Sequence, residues 1–152
     1  MKTIADPTVV QALSRRLSEL RPESARRWGT LTAHEMLCHL GDSAEMVLRI
    51  RPRDKPIVPR RRRVVKWFGL WTPIHWPHGW KTNPAHDPRL AGTRPSAFEK
   101  DLKRALESLD ALAKARAGGI ETAHGFFGTM SLLDWQRWAY KHTDHHLRQF
   151  GL

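Results

Sequence analysis

The chain has 152 residues, 40% hydrophobic and 27% charged, a balance that fits one soluble globular domain burying roughly two thirds of its unfolded surface. No run approaches the roughly 18 apolar residues of a membrane span, and MKTIADP at the start lacks the apolar stretch of a signal peptide. The single cysteine, Cys38, excludes an intrachain disulfide and agrees with a reducing cytoplasm, and the net charge of +11 is one patch, with +8 between Arg49 and Lys66 and +3 elsewhere.

The first helix is expected from about Asp6 to Leu20, with Asp6 as N-cap and Pro7 at the first helical position. The second starts around Leu31, where Thr32 and Glu35 have capping-box spacing and Leu31 and Met36 are placed to form a hydrophobic staple. The third is expected to begin at Ser96, paired with Glu99, and to stop at Gly118 and Gly119. The fourth begins at Ser131, with Asp134 three residues on, and ends at Gly151. No internal repeat or β-alternation stands out. The expected fold is all-α, a four-helix bundle with a long irregular crossover between helices 2 and 3, in one domain over residues 1–152.

That crossover, residues 51–95, holds eight of the ten prolines and four of the seven tryptophans, so one long regular element is excluded. A connection of this length within one domain is often functional. Its run Arg60, Arg61, Arg62, Arg63 leads into VVKWFGLW, a short basic and aromatic amphipathic segment. Four roles are open. The tryptophans can close over a site while the arginines hold an anionic substrate. The segment can contact nucleic acid or an anionic membrane surface. It can also simply pack the crossover onto the bundle, with solvated arginines. His75 and His78 lie in the same proline-rich stretch and are weak metal candidates.

Histidines decide the chemistry. A helix turns roughly 100° per residue, so each position has an angle. On the last helix His142, His146, Trp135, Trp138, Ala139 and Gln149 share one mostly apolar stripe, while Tyr140, Lys141, Asp144 and Arg148 take the other side. His142 and His146 are one turn apart, the spacing that lets two imidazoles share an ion, and His145 falls at the stripe's edge. On the second helix His39 stands at the margin of the apolar arc, able to reach across, whereas His34 is expected to face solvent. Glu35 and Asp42 flank His39 by about a turn each. Either can orient it or act as a base, or both can be solvated carboxylates. His145 is a candidate proton shuttle or a surface residue. Cys38 points away from His39 and reads as a small packed residue.

Three segments, WGTLTAHEMLCHL from Trp28, HGFFGTMSLLDW from His124 and YKHTDHHLRQF from Tyr140, resemble the DinB/YfiT-like metalloenzyme superfamily, more narrowly one of its domains of unknown function. The resemblance covers both ends of the chain and leaves the Arg51–Pro95 insert without a motif. It implies a four-helix bundle holding a divalent metal by one histidine of helix 2 and a pair on the last helix, here His39, His142 and His146. Zinc is the default ion, with nickel and iron(II) also compatible with imidazole. Family members of known activity include thiol-dependent transferases and isomerases. The expected function is therefore activation of water or a low-molecular-weight thiol for transfer or hydrolysis, on a small substrate that is a thiol or an anionic compound. The alternative is a non-catalytic module that binds nucleic acid or an anionic surface through the basic insert. A homodimer is compatible with either.

Overall fold

Helix ends in this chain are set by short polar side chains. The computed structural model describes residues 1–51, 62–79 and 82–152. Asp6 accepts from the Thr8 amide at 2.9 Å, and Pro7 opens helix α1 (Pro7–Ser18). Helix α2 (Ala33–Val47) starts with a full capping box: the Glu35 amide donates to Thr32 Oγ1 at 3.2 Å, and the Thr32 amide donates to Glu35 Oε2 at 2.8 Å. Helix α3 (Arg63–Trp71) follows within the crossover, then helix α4 (Phe98–Ala113). A small hairpin pairs β1 (Ala123–His124) with β2 (Gly128–Thr129) in antiparallel register, His124 opposite Gly128. Helix α5 (Leu132–Gln149) opens with a second capping box between Ser131 and Asp134 and is followed by Gly151 at φ 81°.

The four long helices bury one apolar cluster. It includes Leu13 and Leu17 of α1, Met36, Leu37 and Val47 of α2, Leu109 and Leu112 of α4, and Trp135, Trp138 and Leu147 of α5. α2 lies mainly along α4, α1 spans α4 and α5, and α5 closes against both α2 and α4. The largest fully buried side chain, Trp135, keeps its indole N–H satisfied by the Glu121 carbonyl at 2.6 Å. No helix among the described residues is long and apolar enough to cross a membrane.

The fold is all-α, as expected, and departs from the expected element pattern in three places. The crossover contains a fifth helix, because residues 60–72 lie between Pro59 and Pro73 with no proline to interrupt two turns. The helix expected from Ser96 begins after Ala97, whose side chain makes no cap. Ser96 instead donates its amide to Asp101 Oδ2 at 2.9 Å, two residues further than Glu99. That helix also stops at Ala113, and Gly118 and Gly119 belong to a separate 3-10 turn, Ala117–Gly119.

A buried carboxylate ties the second half of the crossover to α2. Asp42 is fully buried and accepts from the Thr93 amide at 2.7 Å, Thr93 Oγ1 at 2.6 Å, Arg51 Nη1 at 2.8 Å and Arg104 Nη2 at 2.7 Å. Burial pushes its carboxyl upward, but the Thr93 hydrogen bonds and the two guanidiniums outweigh that and hold it below its ordinary value. Arg104 also reaches Glu45 Oε1 at 2.7 Å, so α4 is bound to α2 through the same node. Asn83 caps the 3-10 turn Pro84–His86, and Asp87 accepts from Arg89 at 2.8 Å, which fixes the remaining backbone. Replacing Asp42 with alanine leaves two cations without their shared partner, and the expected loss is about 3–5 kcal/mol in urea unfolding. A loss below about 1 kcal/mol would show that the node holds nothing together.

Candidate metal centre

His39 leaves α2 from its buried face, and His142 and His146 leave α5 one turn apart on the face it turns to α2. Their Nε2 atoms meet. His39 Nε2 lies 3.0 Å from His142 Nε2, and His146 Nε2 lies 3.2 Å from the same atom. Nitrogens coordinating one tetrahedral ion at about 2.0–2.1 Å stand roughly 3.3 Å apart, close to both separations. The three ligand atoms fall within 4.8 Å of one another.

The opposite edges of two rings are fixed by acceptors. His39 Nδ1 donates to the His86 carbonyl at 2.9 Å, and His146 Nδ1 donates to Gln149 Oε1 at 2.8 Å, with the amide oxygen turned towards it. A carbonyl oxygen can only accept, so each Nδ1 carries the proton and each Nε2 presents a lone pair. His142 is held differently, with its ring stacked on Trp138 at 4.5 Å and 17°. One proton on His142 Nε2 satisfies at most one of the two facing lone pairs. A divalent cation satisfies all three nitrogens at once, so the donor set fits a metal ion.

Burial is the main influence pushing all three imidazoles below the ordinary value near 6.5, and for His142 the neighbouring imidazoles add to it. The group is therefore neutral at pH 7, the state a metal requires.

The other predicted residues are placed as follows. Glu35 commits its carboxylate to the Thr32 capping box. Asp42 points into the Thr93, Arg51 and Arg104 node, and the Nδ1 of His39 is taken by the His86 carbonyl. His145 is buried between Trp28, 4.7 Å away edge-on, and Trp76 at 6.0 Å, and its Nδ1 has no hydrogen-bond partner among the described residues. It is held down to about 4, mostly by burial. Arg60 and Arg61 lie outside the described residues. Arg62 sits over the Phe126 ring at 5.3 Å, and Arg63 is exposed.

His34 does not face solvent. It is half-buried and bonds Asp101 Oδ2 at 2.7 Å, because α4 lies against this side of α2. With Cys38 it forms a second His/Cys/Asp group. Asp101 Oδ2 already accepts from His34 and from the Ser96 amide, and burial together with the Asp101 charge pushes the Cys38 thiol up to about 12. That keeps the thiol protonated and makes this group a hydrogen-bonded helix junction.

Two parts of the histidine site escaped sequence reasoning. Gln149 sits three residues after His146 on the same stripe, so its role was readable from spacing. The His86 carbonyl was not, since a backbone acceptor from a proline-rich segment leaves no residue-type signal.

A cavity of about 270 Å³ opens on the side of α5 that carries Tyr140, Lys141, Asp144 and Arg148, and none of the three histidines lines it. Trp76 and His145 are among its walls, and the Trp76 ring lies 6.3 Å from that of His142. Lys2, Lys141 and Arg148 stand around it, with Asp144.

Because the unfolded chain protonates its histidines below about pH 6.5 and these buried ones resist, metal-free protein should keep its stability above that pH and lose it as pH falls. The expected slope is roughly 1.4 kcal/mol per pH unit for each histidine held neutral, read by urea unfolding between pH 8 and 5 in the presence of a chelator. A flat profile would mean that the imidazoles are not buried as described.

A family model described as the DinB superfamily matches residues 8–150. No curated protein and no solved structure matches the chain. The match runs through α2, the crossover and α5, and so includes all three converging histidines. The chain belongs to the DinB superfamily, a metal-binding family.

Proposed function

We propose that this protein is a metal-dependent enzyme that activates water or a low-molecular-weight thiol for a transfer or hydrolysis reaction. The observation that carries the reading is the convergence of three Nε2 atoms on one point, with two of the rings fixed from behind by acceptors. A divalent ion bound by His39, His142 and His146 supplies Lewis acidity and lowers the pKa of a water or thiol at an open position, zinc being the first choice and nickel or iron(II) alternatives.

The chain's own residues divide the remaining work. The His86 carbonyl and Gln149 keep two imidazoles in the tautomer that offers Nε2. Trp138 and Trp76 flank His142 and exclude water from that side. His145 lines the cavity as a neutral imidazole at pH 7, too weak a base to take a proton but able to hydrogen-bond a substrate bound there. Lys2, Lys141 and Arg148 bias the cavity towards an anionic substrate.

Untagged protein is expected to carry one divalent ion per chain by elemental analysis, and His142→Ala to carry less than a tenth of that. Metal-loaded protein should turn over an ester or a thiol-plus-electrophile substrate, stop on chelation and recover when the ion returns. Metal content unchanged in His142→Ala contradicts the site. A full complement of metal without turnover in either substrate class contradicts the enzymatic reading.

A further inference from the structure

Helix α3 is built inside out. Its lysine faces the protein: Lys66 Nζ donates to Asp134 Oδ2 and to the Thr129 carbonyl, both at 2.8 Å. Leu70 is fully buried, and Gly69 lies against Phe127, where a Cβ would collide with the ring. The opposite stripe is apolar and open. Val64 is 70% exposed, Trp67 54%, Phe68 53% and Trp71 37%, at the i, i+3, i+4, i+7 spacing of one helix face. Ile74, 61% exposed, follows shortly after the helix. Burying this face would remove large aromatic area from water, and among the described residues it is left open apart from Arg137 at the Trp71 ring.

The helix is docked, not loose. Asp134, itself buried, accepts from Lys66 and from the Trp71 indole N–H at 2.9 Å. The Arg137 guanidinium lies 3.7 Å from the Trp71 ring, and the Trp76 indole N–H donates to the Gly69 carbonyl at 2.8 Å. Cations cluster at the start of the same element. Arg62 and Arg63 begin it, within the Arg49–Lys66 stretch that nets +8.

We propose that α3 is an interfacial docking element that seats the protein on an anionic lipid bilayer. The aromatic stripe enters the acyl boundary, where tryptophan rings are favoured, while the basic start of the helix meets lipid phosphates. The charge argues against a second copy of the chain as the occupant, because a two-fold contact would bring two +8 segments together. It argues less for nucleic acid, since the outward face combines aliphatic Val64 and Ile74 with the rings and carries its cations at one end only. Ile74 also lines the cavity walled by Trp76 and His145, so docking on this face brings that cavity towards the lipid surface.

Flotation of the full-length protein with vesicles tests this. Vesicles of phosphatidylcholine with about a third phosphatidylglycerol should carry the protein, whereas pure phosphatidylcholine should carry at least ten-fold less, with binding to the anionic vesicles weakening as salt rises. The double variant W67S/F68S alters only exposed side chains and should reduce anionic-vesicle binding at least ten-fold, with an unchanged circular dichroism spectrum. Arg62→Glu with Arg63→Glu should do the same. Absence of flotation with anionic vesicles, or equal flotation of W67S/F68S, overturns the proposal. So does a stable dimer in light scattering that W67S/F68S dissociates, or RNA binding that outcompetes the vesicles.

Discussion

Three imidazole nitrogens point at one another inside this protein, and much of the surrounding structure serves to keep them there. The His39 and His146 lone pairs face His142 Nε2 at 3.0 and 3.2 Å, and one proton there leaves at least one of them unsatisfied, whereas a cation among the three serves them all. The arrangement is nonetheless fixed from outside, by an amide side chain on α5, a stacked indole and a backbone carbonyl from the crossover. Each constraint holds a ring in an orientation that costs free energy without a cation and gains from one.

The carbonyl gives the long crossover a purpose. Its proline content prevents it from continuing a helix, yet the stretch from Asn83 to Thr93 is tied down by hydrogen bonds of Asp42, Arg51 and Asp87. The Asp42 node couples α2, α4 and the crossover, and His39 lies within one turn of it on α2. Stability and site geometry therefore share one support.

Much of this was legible in the chain. The caps at Asp6, Thr32 and Ser131 depend on local spacing and stand where the sequence placed them. His39, His142 and His146 followed from helical angle, because one buried face leaves little freedom about which side chains point inward. Failures occurred where partners are distant. His34 seemed exposed because nothing local reveals that α4 supplies Asp101 to it. Asp42 resembled a neighbour of His39, but its partners Thr93 and Arg104 are 51 and 62 residues away. Helix α3 went unseen because proline density was read over the whole insert, not between Pro59 and Pro73.

The account stands or falls on the three imidazoles acting together, and X-ray absorption at the metal edge of zinc-loaded protein examines that directly. It predicts a shell of three imidazole nitrogens at about 2.0–2.1 Å, with the outer-ring scattering that marks histidine and one further light ligand. A shell with one imidazole or none, or one made of oxygen alone, would contradict it.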